Sequence, residues 1–166
     1  KCELPRSQFI SGITGLCKRV MYRTRDSTLL DNMAERLQLL ISMDASEREL
    51  FGARILLARY YGNSGNTAKA LPILHNLRER HYGSLPTVLK MIARFGMNEM
   101  SRDEVLGIYT EFQEVLASGN FSKFPEDCSM KNFGDDLRVV VIVAILSFSG
   151  EEIPDITFAE SILAEM

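Results

Sequence analysis

The sequence predicts an all-α chain of about four antiparallel helix pairs stacked as a repeat. Three observations carry that expectation. Apolar residues return at steps of three and four through most of the chain, the spacing that keeps them on one helical face. Clusters of Gly, Asn, Ser or Pro punctuate those runs. An anchor early in every second helix, Ala34, Ala70 and Val105, recurs 36 and then 35 residues on. Helix–turn–helix units of that period mark solenoid repeats.

A chain of 166 residues suits one domain with a genuine core. Its hydrophobic content of 46% and charged content of 25% are ordinary for a soluble globular protein. It opens at Lys1 without a methionine and stops inside an amphipathic pattern at residues 159–166, so a piece of a longer protein is expected. Cys2, Cys17 and Cys128 are odd in number and scattered. They predict a reducing intracellular compartment, the cytoplasm before an organelle, and neither a disulfide scaffold nor a structural zinc. Asn120-Phe121-Ser122 spells a sequon, a match that chance produces often. The longest apolar run, residues 139–146, is too short to span a bilayer. The net charge of −3 hides an asymmetry. Residues 1–100 carry 15 Lys/Arg against 9 Asp/Glu, and residues 101–166 carry 4 against 13. Charge distribution of this kind speaks to partners rather than to fold.

From Ser7, the positions Phe9, Ile10, Ile13, Leu16, Cys17, Val20 and Met21 predict a first helix. Gly12 and Gly15 weaken it by up to about 1 kcal/mol each, or admit a neighbouring backbone. Gly12-Ile13-Thr14-Gly15 also matches the GxxG loop of KH domains, but it falls on a helical period without flanking strands, and the helix is the reading taken. Asp26 or Ser27 caps a second helix with Leu29, Leu30, Met33, Ala34, Leu37, Leu40 and Ile41 inward. Ser46 followed by Glu49 spells a capping box. It opens a third helix through Leu50, Ala53, Leu56, Leu57, Tyr60 and Tyr61, ended by residues 62–65. Asn66 caps a fourth through Ala70, Ile73, Leu74 and Leu77. Pro72 is costly inside that helix unless a later start makes it a first-turn residue.

Residues 81–84 form a loop, and Pro86 stands early in a fifth helix bearing Val88, Leu89, Met91, Ile92 and Phe95. Ser101 with Glu104 opens a sixth through Val105, Leu106, Ile108, Tyr109, Phe112, Val115 and Leu116. Residues 118–133, rich in Ser, Asn, Lys, Pro and Gly, read as a loop insertion. Residues 137–148 are β-rich in composition, and periodicity does not separate a buried strand from a buried helix there. Helix is the reading taken, because the preceding chain is helical and offers no partner strand. Residues 154–166 form the last helix, with Ile156, Phe158, Ala159, Ile162 and Leu163 inward.

The units are therefore residues 7–42, 47–80, 84–117 and, after the insertion, 134–166, the last anchored at Ala159, in a single helical-repeat domain. The central unit, with Leu57, Ala58, Tyr61, Gly65, Ala70 and Leu74, resembles the tetratricopeptide repeat. It departs where Arg54 stands for the usual tryptophan, Leu77 for a small residue and Tyr82 for the closing proline. The flanking units match more loosely, with Gly96 at the next tyrosine position. The 35-residue spacing also suits the related pentatricopeptide repeat. The resemblance implies a right-handed α-solenoid whose first helices line a concave groove.

That register places Arg59 in line with Arg23 and Arg94, Asn63 with Asn98, and Ile55 with Arg19 and Lys90. Residues four apart share a helical face, so Arg19, Arg23, Arg59, Asn63, Lys90, Arg94 and Asn98 form a candidate partner-binding stripe. It stops at the fourth unit, where Ala144 and Phe148 stand. Taken singly these are ordinary solvated positions; recurrence in register over three units raises the set above that. Asp31, Glu35, Asp103, Glu104, Glu111 and Glu114 gather instead on second helices. Arginine suits forked recognition of carboxylate or phosphate.

The first function class is a non-catalytic interaction module or scaffold binding an acidic or extended protein segment, with Lys90 and Arg94 on carboxylates and Asn63 and Asn98 on peptide backbone. The carboxylate clamp of chaperone-tail binders is incomplete, since Ile55 and Leu56 replace its polar residues. The second class is a pentatricopeptide-like RNA-binding protein of organelle RNA metabolism, opposed by the net charge of −3 and the lack of base-reading pairs. No enzyme signature stands out: His75 and His81 share no face, Cys17 reads as a core cysteine, and no cofactor or metal motif occurs. The apolar C-terminal helices are a candidate surface for self-association.

Overall fold

A computed structural model describes residues 5–80, 85–97, 99–117, 138, 141, 142 and 156–164. Every regular element among them is an α-helix: α1 (Arg6–Arg23), α2 (Ser27–Ile41), α3 (Glu47–Asn63), α4 (Thr67–Arg80), α5 (Leu85–Gly96), α6 (Arg102–Ala117) and α7 (Ile156–Ala164). Of residues 137–148, Arg138, Val141 and Ile142 are described, and all three are helical. The loop at 81–84, the insertion at 118–133, the sequon, Asn98, Cys2 and Cys128 lie outside the described residues. The chain divides into two compact units, Lys1–Ile73 and Leu74–Met166, with the division inside α4.

In the N-terminal unit α1, α2 and α3 each pack against the other two. Ile10 and Cys17 from α1 meet a larger apolar set: Met33, Ala34, Leu37 and Leu40 from α2, and Leu50, Ala53, Leu56, Leu57, Ala58 and Tyr61 from α3. Each fully buried leucine of this set, such as Leu37, stabilises the fold by roughly 1.5–3 kcal/mol. The helix starts follow the sequence signals. Asp26 Oδ1 accepts from Thr28 N at 2.9 Å and Leu29 N at 3.3 Å, which settles Asp26 over Ser27 as the cap of α2. Ser46 and Glu49 close a capping box at the start of α3, with the Ser46 amide donating to Glu49 Oε2 at 2.9 Å. The end of α3 is a Schellman turn: Gly65 takes φ +76°, Asn66 N reaches Tyr61 O at 2.8 Å, and Gly65 N reaches Gly62 O at 3.2 Å. Only glycine adopts that φ without strain.

The two glycines of α1 admit no neighbouring backbone, because a Cβ at Gly12 or Gly15 would meet nothing within 4 Å. The GxxG stretch is an interior segment of α1, so a KH loop is excluded there. The close approach is instead at Gly52 on α3, where a Cβ would stand 3.3 Å from the Thr14 methyl. Helix α4 begins at Thr67, which makes Pro72 interior rather than a first-turn residue. Its ring faces solvent at the cost of one ladder hydrogen bond.

In the C-terminal unit α5 packs against α6. Val88, Leu89, Met91, Ile92, Ala93 and Phe95 of α5 are buried, with Val105, Ile108, Tyr109 and Phe112 of α6 and Leu74 and Leu77 of α4. Val141, Ile142, Ala159 and Ile162 are buried as well. Ser101 and Glu104 repeat the capping box at α6, the Ser101 amide donating to Glu104 Oε2 at 2.7 Å. Arg78 and Glu111, both half-buried, pair between α4 and α6. Among the described residues none that is buried is polar or charged. No helix of the described residues is long and apolar enough to cross a membrane.

Candidate binding surface

The helix ends of the N-terminal unit enclose a cavity of about 310 Å³ lined by Met21, Tyr22, Leu30, Leu56, Arg59, Tyr60, Asn63 and Ser64. Three elements supply it: the last turn of α1, the first turn of α2 and the C-terminal half of α3. Arg59 and Asn63, one turn apart on α3, thus open onto the same space. The Arg59 guanidinium carbon lies 5.3 Å from the centre of the Tyr22 ring, a cation–π contact between α3 and α1. Tyr22 is nevertheless 57% exposed. Arg19 and Arg23 are exposed on α1, three positions before and one after Tyr22.

Tyr60, a second wall of the cavity, donates its hydroxyl to the Asp31 carboxylate of α2. That hydrogen bond, helped by burial and by the negative charge of Asp31, pushes the Tyr60 phenol up to about 12. The hydroxyl therefore stays protonated through the whole physiological range. Its neighbour Tyr61 turns inward, accepting from Gln38 Nε2 and packing its ring 5.3 Å from that of Tyr60. Both adjacent tyrosines tie α3 to α2, Tyr61 from a buried position and Tyr60 from the cavity wall.

In the C-terminal unit, Lys90 is half-buried and Arg94 is exposed on α5, with the Arg94 guanidinium 5.7 Å from the Phe95 ring centre. Asn98 lies outside the described residues. Four of the seven stripe residues thus belong to the N-terminal unit, where Arg59 and Asn63 share a cavity and Arg19 and Arg23 share its Tyr22-bearing helix.

Sequence reasoning passed over Tyr22 and Ser64 as contributors to this cavity, and took Met21, Leu30, Leu56 and Tyr60 as core. Leu56 is buried; Met21, Leu30 and Tyr60 are half-buried at its edge. One signal existed for Tyr22, an aromatic residue set between Arg19 and Arg23 on a stripe of cations. Cys17 is fully buried, and burial pushes its thiol up, the opposite of a nucleophile's activation. Among the described residues no group of three His, Cys, Asp or Glu side chains is placed to hold a metal ion.

Fold and cavity together define an all-α chain with a cation-bordered apolar recess at the ends of three packed helices. Comparison with protein-family models, with curated proteins and with solved structures finds no match.

Proposed function

We propose that the chain is a non-catalytic interaction module, a tetratricopeptide-like α-solenoid that binds an acidic or extended segment of a protein partner along its first helices. The observation that carries this reading is the shared cavity of Arg59 and Asn63. Repeat register alone selected these two residues, and they border one apolar recess together with Tyr22. Two further features support it. The contact of α1 with α3 is the one that stacked hairpins make between successive first helices. The residues of the N-terminal unit carry 11 Lys/Arg against 7 Asp/Glu, a net charge of +4, which favours an acidic partner. The buried free thiol of Cys17 fits a reducing compartment.

A capture experiment with the Arg59→Glu/Arg94→Glu double variant tests the reading. The native chain retains partners that the variant loses; the same partners on both forms sink it. A second reading, RNA binding, draws on one observation, the exposed Tyr22 ring beside Arg23, because bases stack on exposed aromatic rings. RNA affinity falls steeply with salt, and absence of RNA binding at low ionic strength removes this alternative.

A further inference from the structure

The cavity between the ends of α1, α2 and α3 is built for more than charge. Its deeper members by burial are Leu56, Met21 and Leu30, all apolar, with the rings of Tyr22 and Tyr60 beside them. Its polar members, Asn63 and Ser64, are exposed, and Arg59 is half-buried with its guanidinium carbon 5.3 Å from the centre of the Tyr22 ring. A volume of about 310 Å³ is at the lower limit for a small-molecule site. It takes one bulky side chain and excludes a helix.

We infer that this cavity is the anchor site for a single bulky apolar side chain, aromatic or leucine, of an acidic partner segment, with a neighbouring carboxylate of that segment meeting Arg59. The inference rests on the interaction-module reading and narrows it from a surface to one side chain. Interface energy concentrates in such anchors, where a few large side chains fill desolvated pockets and the surrounding contacts add little. Arg59 suits the second half of the motif. Its guanidinium stands at the border of the recess beside Tyr22, and a guanidinium suits forked recognition of a carboxylate. The field agrees. Arg19 and Arg23 flank Tyr22 on α1, and among the described residues no carboxylate lines the cavity, Asp31 lying behind Tyr60 as the acceptor of its hydroxyl. A nucleic acid strand would satisfy the cations, but Met21, Leu30 and Leu56 offer it nothing that a hydrocarbon side chain does not use better.

Fluorescence anisotropy with the full chain tests this with four labelled probes. They are an acidic hexapeptide with one central Phe, the same peptide with Ala at that place, the Phe peptide with its glutamates changed to glutamines, and oligouridylate. The Phe peptide binds about 10- to 100-fold more tightly than the Ala peptide, the range that burial of one large side chain yields. The glutamine peptide binds a few-fold more weakly than its acidic parent, as expected for a partly solvated ion pair. Asn63→Trp, which crowds the cavity from an exposed position, erases the Phe preference and keeps the weak binding of the Ala peptide. Tyr22→Ala serves the same comparison if Asn63→Trp loses helical circular dichroism. Equal binding of the Phe and Ala peptides overturns the anchor and leaves the basic-surface reading standing. Silence of every acidic peptide overturns both. Oligouridylate binding that Asn63→Trp blocks, with the peptides silent, overturns the anchor in favour of RNA.

Discussion

Helices α1 and α3 are neighbours in one unit, of 18 and 17 residues, and each carries an apolar periodic face. Yet α3 buries Leu50, Ala53, Leu56, Leu57, Ala58 and Tyr61, whereas α1 buries Ile10 and Cys17 alone. Phe9 and Leu16, which the periodicity places inward with those two, are exposed. Ile10 and Cys17 are seven apart, so they mark one narrow strip of α1 turned toward α2 and α3. The ends of the two helices differ in the same direction. A capping box opens α3 and a Schellman turn closes it, while α1 starts after Pro5 with no side-chain cap. Periodicity tells which face of a helix is apolar; only the neighbours tell how much of that face is covered. The less covered helix supplies Tyr22 and Met21 to the cavity, and the well-anchored one supplies Arg59 and Asn63. A rigid element holding the polar groups beside a half-open aromatic wall is a sound arrangement for capture of a side chain.

The sharpest test of the contrast is truncation in each helix. Leu57→Ala costs about 2–5 kcal/mol of unfolding free energy, whereas Leu16→Ala, at a side chain 53% exposed, stays within about 0.5 kcal/mol. Urea denaturation of both variants measures this, and equal losses would mean that α1 is covered as fully as α3. Next in size is Gly65→Ala, which forces an alanine into a left-handed conformation and costs about 1–2 kcal/mol at the end of α3.

Ser46→Ala removes the cap of α3 and costs about 1 kcal/mol. It also has a signature in pH. The Ser46 hydroxyl, with the Ser46 backbone amide second, holds the Glu49 carboxyl below its ordinary value of 4.5. A depressed carboxyl contributes stability above the ordinary value and loses it as pH falls through the folded-state value. Proton titration followed by NMR should find the Glu49 midpoint below 4.5 in the native chain and raised toward it in Ser46→Ala. The smallest effect separates the glycines. Gly15→Ala raises stability by up to about 1 kcal/mol, since helix propensity improves and no atom stands in the way. Gly52→Ala gains less, because its Cβ would press on the Thr14 methyl at 3.3 Å. Thermal melts of the two variants rank them, and a larger gain at Gly52 would contradict the close packing of α1 on α3.

Much of the local structure was legible beforehand because it is written in short-range chemistry. Asp26, the Ser46–Glu49 and Ser101–Glu104 pairs, and Gly65 act on backbone groups within five residues, so their roles need no knowledge of the fold. Pro72 was not decidable that way. Its place in the helix depends on where α4 starts, and the start at Thr67 makes it interior; its exposure depends on which face of α4 is turned outward. The stripe was legible as a list of positions, because a repeat register can be counted. Its partition was not: Arg59 and Asn63 reach the cavity, whereas Arg19 and Arg23 stand beside it on α1. Tyr60 and Tyr61 show the limit most plainly. They are adjacent, identical and both aromatic, yet one is tied to Asp31 at the cavity wall and the other to Gln38 within the packing of α2 and α3.

The sequence by itself determined an all-helical chain, the starts and stops of most helices, the position of each apolar face and the recurrence of cations at a fixed register. Those properties follow from interactions within a turn or two, where chain order and spatial order coincide. Tertiary structure decided which apolar faces are covered, which tyrosine faces inward, and that Arg59 lies over Tyr22 beside an apolar recess. These depend on residues 23 to 37 positions apart meeting across two helices, and a distance of that kind is fixed by packing rather than by periodicity.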